Sequence, residues 1–329
     1  MPTVETVTGT INADELGTTL VHEHLIYRDE AVTNWWPHLG SVVPVDPPRA
    51  CGPDELHGVA VESARAVVER GGRTICEPTG MFGGRDVIFS RQVSEETGLQ
   101  VVPCTGIYTY DYLPMFFVTR DADAMADLFV HDIEQSIQGT GIKAAFLKCA
   151  ADEPGITENV EKVHRAVARA SVRTGAPIMA HSRPASKTGP RQIEIFEQES
   201  VDLSKVQLAH TGDTDDLDYI ERVLEKGVYI GMDRYGLELF LPIERRNATV
   251  TALLERGYAD RMLLSQDYCA TLDWYSVETE KQLLAAGVAK GWSMTLVFDE
   301  VIPALRQAGM TDDQLQTMMV ENPKRWLGR

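Results

Sequence analysis

Short, almost wholly apolar runs alternate along this chain with longer stretches whose apolar residues recur at helical spacing. The short runs are "TTLVHEHL" (18–25), "TICEPTG" (74–80), "LQVVPCTGIY" (99–108), "KAAFLKCA" (143–150), "PIMAHS" (177–182), "VQLAHTG" (206–212), "VYIGMDR" (228–234) and "MLLSQD" (262–267). Near-continuous apolar character over so few residues is what strands covered on both faces require. Between most of them lie amphipathic patterns. "DELHGVAVESARAVVERGG" (54–72) opens on an Asp cap and ends on glycine. "ITENVEKVHRAVARASVRTG" (156–175) sets Val160, Val163, Val167 and Ala170 on one stripe, and "DDLDYIERVLEKG" (215–227) does so with Tyr219, Ile220, Val223 and Leu224.

Eight strands with intervening helices predict a closed parallel (β/α)8 barrel, a TIM barrel of the α/β class, with the whole of 1–329 as one domain. An open doubly wound sheet is the alternative. It lacks its expected G-x-G-x-x-G turn, since "GMFGG" (80–84) has the wrong spacing. Neither an internal repeat nor a Pro/Gly-rich linker divides the chain.

In such a barrel the chemistry sits at the C-terminal ends of the strands. Those ends carry His22 and His24, Tyr108, Lys148, His181, His210, Asp233 with Arg234, and Asp267. An isolated H-x-H is more often an ordinary pair of histidines. On a strand, though, residues i and i+2 share a face, so His22 and His24 project together. Four of the eight histidines are strand-terminal, while His38, His57, His131 and His164 fall in helices or loops and are expected to be solvated. Unrelated causes would not aim four imidazoles and a carboxylate at one rim. His and carboxylate together suit zinc, with cobalt, iron or manganese as alternatives.

Lys148 needs separate chemistry, because a protonated amine (reference pKa about 10.4) repels cations. An uncharged lysine that takes up carbon dioxide becomes a carboxylate on a long arm, able to bridge two metals about 3.5–4 Å apart.

Composition narrows the partners. The net charge of −18 argues against nucleic acid and anionic membranes. The five cysteines, 51, 76, 104, 149 and 269, are scattered and form no C-x-x-C pair, which reads as reduced thiols in a cytoplasmic protein. The N-terminal stretch has neither a basic n-region nor an apolar h-region, so no signal peptide is expected.

"LVHEHL", "EAVTNWWPHL", "CTGIYTYDYLP", "DLFVHDIEQSIQGT", "KAAFLKCAADEPGIT", "GDTDDLDYI", "GMDRYGLELFLPIERRN" and "SQDYCATLDW" resemble blocks of the phosphotriesterase-like lactonases of the amidohydrolase superfamily, along nearly the whole chain. The resemblance implies a binuclear centre of two divalent ions. His22, His24 and Asp267 would hold the more buried ion, and His181 and His210 the more exposed one. Lys148, N6-carboxylated, would bridge them. Tyr108 and Arg234 match positions that contact a lactone, and Tyr268, Cys269, Leu272 and Trp274 of loop 8 match the wall of an acyl-chain channel. The implied activity is quorum-quenching hydrolysis of N-acyl homoserine lactones. A metal-bridging hydroxide attacks the ring carbonyl, Asp267 moves the proton, and phosphotriesters are a side activity.

The same centre could serve a dedicated phosphotriesterase or another esterase. A catalytically dead barrel would be expected to lack a ligand, and all six are present. A structural zinc site would favour cysteines. The pair Trp35–Trp36 has little room in a barrel core, and the resemblance implies a homodimer.

Several positions depart from the family pattern: Gln266 where histidine is commoner, Glu77 where aspartate is usual, a longer segment at 40–55, and a variant loop "SRPASKTGP" (182–190) after His181.

Overall fold

The computed structural model describes residues 1–289 and 291–329. Eight parallel strands form one sheet in sequential order: β1 (Thr19–Leu20), β2 (Thr74–Glu77), β3 (Gln100–Gly106), β4 (Phe146–Ala150), β5 (Ile178–His181), β6 (Val206–Ala209), β7 (Tyr229–Met232) and β8 (Met262–Leu264). Helices α1 (Leu56–Glu69), α2 (Val87–Thr97), α3 (Ala122–Glu134), α4 (Glu158–Thr174), α5 (Thr188–Gln198), α6 (Leu217–Leu224), α7 (Ile243–Glu255) and α8 (Val277–Ala285) follow the strands in turn. The expected barrel is therefore present, with strands shorter than the apolar runs that announced them.

The first run deviates most. Residues 18–25 do not make one strand. Thr19–Leu20 pairs with β2, whereas Glu23–His24 has changed partner and lies parallel to Tyr268–Cys269 beyond β8. This switch closes the barrel. The seam is tied by the Glu23 carboxylate, which accepts from Ser265 Oγ (2.6 Å), Gln266 N (3.0 Å), Gln266 Nε2 (2.8 Å) and Tyr268 N (3.1 Å). Gln266 also donates to Met294 O and accepts from Val297 N, both at 2.9 Å. Its departure from the family pattern thus has a structural use: the amide both donates and accepts where the seam meets the C-terminal helices.

Helix α4 follows the sequence pattern. Thr157 caps its first turn, Gly175 ends it in the left-handed conformation, and Val160, Val163, Val167 and Ala170 are buried. In α6, Asp216 accepts from Tyr219 N at 3.0 Å and Tyr219, Ile220, Val223 and Leu224 face the core. Asp54 does not cap α1. Glu55 precedes the helix instead, its carboxylate turned back to Gly52 N (2.9 Å) and Arg49 (3.2 Å). The long segment at 40–55 contains a small antiparallel hairpin, Ser41–Val43 with Arg49–Cys51.

Inside the barrel, Val102, Cys104, Phe146, Met179, Tyr229 and Leu263 pack with Val4 and Trp326 from the two chain ends. Period-two alternation carries these inward rows on to the strand ends: Phe146 leads to Lys148, Met179 to His181, Tyr229 to Asp233, and Leu263 to Asp267. Two glycines make room for this. A Cβ on Gly106 would lie 2.0 Å from the Lys148 carbonyl oxygen, and one on Gly231 would lie 2.3 Å from Asp233 Oδ2. No helix among the described residues is long and apolar enough to cross a membrane.

His38 and His131 are exposed and His57 is partly so, but His164 is fully buried, contrary to expectation. Its position within α4 puts it between the α4 backbone and α5. Nδ1 donates to Val160 O (2.7 Å), Nε2 faces Gln192 Nε2 (2.9 Å), and Gln192 also donates to the His181 carbonyl (2.9 Å). Burial pushes His164 down to about 4. The folded form therefore binds fewer protons than the unfolded chain between about pH 6.5 and 4, and stability should fall as pH drops through that window. The ceiling is about 3 kcal/mol, at about 1.4 kcal/mol per pH unit. Comparing urea midpoints at pH 6.5 and 4.5, His164→Gln should lose less stability on acidification than the parent chain; an equal loss would reject His164 as a source of acid sensitivity.

Candidate metal centre

The closed seam brings the first strand against the last. His22 Nε2 and His24 Nε2 both point at Asp267 Oδ1, at 3.2 and 3.3 Å. The His210 Nε2 lies 3.8 Å from Asp267 Oδ2. Imidazole centroids are 4.8 Å apart for His22–His210 and 4.5 Å for His181–His210. Lys148 Nζ reaches to within 3.2 Å of His22 Nε2. All six residues proposed as ligands, His22, His24, Lys148, His181, His210 and Asp267, thus meet at the C-terminal mouth of the barrel.

Each imidazole has its remote nitrogen engaged. Asp233 serves two of them: Oδ2 lies 3.1 Å from His22 Nδ1 and Oδ1 3.1 Å from His210 Nδ1, with Oδ1 also accepting from His210 N at 2.7 Å. His24 Nδ1 faces Thr79 Oγ1 (2.6 Å), and that hydroxyl donates to Glu77. His181 Nε2 faces Asp152 Oδ2 (2.8 Å), which leaves Nδ1 toward the mouth and 3.4 Å from the Tyr108 hydroxyl. Remote acceptors of this kind fix the tautomer so that the other nitrogen offers its lone pair. His22, His210 and Asp233 also form a compact trio. Asp233 faces the remote nitrogens there, so it orients ligands and is not one itself.

Burial decides the charges. His22 and His181 are each pushed down to about 4, chiefly by desolvation, and His210 is pushed well below its ordinary value for the same reason. Burial lowers His24 too, but its contacts with Asp267 and Glu77 outweigh this and raise it. Lys148, 1% exposed, is lowered by burial; no carboxylate among the described residues lies within ion-pairing distance, and its other close contact is Met179 Sδ at 3.4 Å. Desolvation opposes ionisation of Asp267, yet His22, His210, His24 and Arg234 hold its carboxyl well below the ordinary range. Arg234 is the partner whose charge persists at neutral pH, donating to Asp267 Oδ2 at 2.9 Å and to Asp213 at 3.1 Å.

Imidazoles kept neutral by burial at His22, His181 and His210, an amine whose charge burial disfavours, and an ionised aspartate form a donor set suited to divalent cations. Two site residues carry positive φ without being glycine, His210 (66°) and Asp267 (54°). Backbone strain of this sort is concentrated at functional sites.

Tyr108, Arg234, Cys269, Leu272 and Trp274 line one cleft with the six ligand residues. Tyr268 does not line it: this ring is buried against Trp292, with centroids 5.1 Å apart. Sequence reasoning left out Asp152, Thr79, Asp213 and Asp233 as supporting residues. Asp233 alone had a usable signal, a carboxylate continuing the inward row of Tyr229 and Gly231. Asp152 and Asp213 sit in loops, where no periodicity marks them.

Residues 2–327 match the model of the phosphotriesterase family. An aryldialkylphosphatase of Saccharolobus solfataricus is 44% identical over 316 residues, covering 96% of each chain. A phosphotriesterase homology protein of Mycobacterium tuberculosis is 41% identical over 99% of this chain and 97% of its own. The solved structure of the phosphotriesterase from Mycobacterium tuberculosis superposes with a TM-score of 0.90 at 38% identity, covering 99% of this chain and 98% of that one. With the barrel and the His/Asp cluster already in place, these likenesses identify the chain as a hydrolase belonging to the phosphotriesterase family.

Proposed function

We propose that this hydrolase opens lactones, N-acyl homoserine lactones first among them, and turns over phosphotriesters as a side activity. The observation that carries the reading is the cleft itself. It holds about 280 Å³, with the ligand cluster at one end and a wall of Leu237, Leu239, Phe240, Leu272 and Trp274 leading away from it. A polar reacting head at the ligands and an alkyl chain along that wall match these two halves.

Zinc, cobalt, iron or manganese held by His22, His24, Asp267, His181, His210 and a carboxylated Lys148 would supply Lewis-acid polarisation of the substrate oxygen and a water acidic enough to attack at neutral pH. The chain's own groups do the rest. Asp267, ionised and held at Oδ2 by Arg234, receives the proton of the attacking water and returns it to the leaving alkoxide. Burial pushes the Tyr108 phenol well above its ordinary value, with Tyr110 and Tyr27 adding to the effect. Tyr108 therefore keeps its proton and donates to the lactone. Arg234 also lies over the Phe240 ring, 4.5 Å from its centroid, which ties the charged anchor to the apolar wall.

A dedicated phosphotriesterase is the second reading, favoured by the name of the aryldialkylphosphatase relative. Assays on protein stripped by chelator and reloaded with zinc, cobalt or manganese separate the two. Lactone hydrolysis should return with metal, exceed paraoxon hydrolysis, and rise about fourfold per added methylene until the cleft is full, at about 0.8 kcal/mol for each buried CH₂. Dominant paraoxon turnover would reverse the assignment. Reloading in ¹³C-bicarbonate should give a carbamate resonance that Lys148→Ala lacks; a parent spectrum without it would remove the carboxylated lysine.

Tyr108→Phe should lower lactone kcat/KM by about a hundredfold, the scale of one lost oxyanion donor, at unchanged metal content. Full activity would exclude the phenol from the chemistry.

Assembly follows the same reading. Trp35 and Trp36 stand 79% and 53% exposed, beside Val32 and Leu39. Such paired aromatics fit the centre of a dimer interface. Sedimentation should give a dimer that Trp35→Ala with Trp36→Ala converts to monomer; a monomeric parent chain would refute this.

A further inference from the structure

One carboxylate in the cleft has no place in the chemistry above. Glu280 lies in the first turn of α8 and is 3% exposed. It lines the same cleft as the ligand cluster, in company with Leu283, Val288, Ala289 and Trp292. Among the described residues its carboxyl has no hydrogen-bond or ion-pair partner, and burial alone raises its pKa. Among the described residues of the cleft, Arg234 is engaged with Asp213 and Asp267, and the Lys148 amine lies beside His22. Location near the start of a helix eases the presence of a negative charge. It does not supply the missing partner. An unpaired carboxyl in an apolar channel costs free energy that a leucine at 280 would not.

We propose that Glu280 is a specificity-determining residue that accepts a hydrogen bond from the substrate's side chain, so that the preferred substrates carry a donor, hydroxyl or ammonium, on the arm remote from the scissile carbonyl. The inference rests on the hydrolase reading of the cleft and adds to it the chemistry of that arm. Without such a donor, a plain alkyl chain leaves the carboxyl dehydrated and unpaired. A cleft built this way rejects the analogue that lacks the partner group far more strongly than it rejects a chain one methylene too short.

The test uses the full chain, metal-loaded, as parent, Glu280→Gln and Glu280→Leu. The probes are N-acyl homoserine lactones of one chain length with a plain, hydroxylated or aminated acyl arm, the substituent moved carbon by carbon. Unreactive lactams of the same chains are titrated by calorimetry. At the best position the parent should favour the donor-bearing chain by about tenfold or more in kcat/KM and in lactam Kd. Glu280→Leu should invert that order. Glu280→Gln should keep the preference for hydroxyl and lose the one for ammonium, whereas loss of both in the parent-like Gln variant would assign recognition to charge alone. The same ranking in the parent and Glu280→Leu overturns the proposal. If the lactams rank by donor only when Glu280 is present but no lactone is hydrolysed, the lactonase reading falls and this inference stands. If lactones are hydrolysed with a ranking indifferent to residue 280, the reverse holds.

Discussion

The site exists because the first and last strands of the barrel are held together by one buried carboxylate. Glu23 sits between two ligand histidines in sequence and receives four donors from residues 265–268, the segment that contains Asp267. Burial pushes its carboxyl up to about 8 against the pull of those donors. Such a group is tolerated because three donors converge on Oε1 and a fourth reaches Oε2. Were the seam to open, His22 and His24 would part from Asp267, losing also the backbone pairing of Glu23–His24 with Tyr268–Cys269. The "HEH" triplet therefore has two functions on opposite faces: histidines into the mouth, glutamate into the joint.

Positioning the imidazoles is a second, separate task, and it falls to carboxylates on the side of their remote nitrogens. Asp233 holds both His22 and His210, Asp152 holds His181, and Glu77 reaches His24 through the Thr79 hydroxyl. The departure at Glu77 becomes intelligible here. Its extra methylene still delivers an acceptor to the His24 branch, through Thr79 and by direct approach at 3.3 Å. Burial keeps the His22, His181 and His210 imidazoles neutral, while Asp233 and Asp152 stay ionised despite burial because their imidazole partners hold them down. This separation of charge makes a cation the natural occupant of the space between them.

How much of this could be read from sequence follows from periodicity. The barrel and the gathering of His22, His24, Lys148, His181, His210 and Asp267 at its mouth were legible because parallel strands buried on both faces give continuous apolar runs, and a polar residue ending such a run stands out. Lys148 and His181 each occupy the next inward step after a core residue, and Asp267 the second step after Leu263. Asp152, Thr79 and Asp213 were not legible, since loop residues obey no period and their partners are distant in sequence. His164 was misread because a histidine in an amphipathic helix looks solvated until its neighbours, Val160 O and Gln192, are known. The run at 18–25 looked like one strand because a change of pairing partner leaves the hydrophobic pattern untouched. Tyr268, assigned to the channel wall by resemblance, packs instead against Trp292 just past the positive-φ turn at Asp267.

That turn also connects strain with function. His210 and Asp267 each hold a left-handed backbone, at about 1–3 kcal/mol per residue. The structure holds both in place with hydrogen bonds from the network already described: His210 N donates to Asp233 and Asp267 N to the His22 carbonyl. Relaxing either residue would release an acceptor that also orients or carries another ligand. The strained conformations, the ionised outer carboxylates and the closed seam are thus mutually dependent, and a ligand cannot shift alone. The cleft wall is built differently. Leu237, Leu239, Phe240 and Trp274 follow β7 and β8 and meet this network where Phe240 packs on Arg234 and Trp274 on Tyr27, beside His24, so Leu237 and Leu239 are the wall positions freest to vary. Glu280, on α8, belongs to this arm-binding half of the cleft and not to the cluster of imidazoles and Asp267.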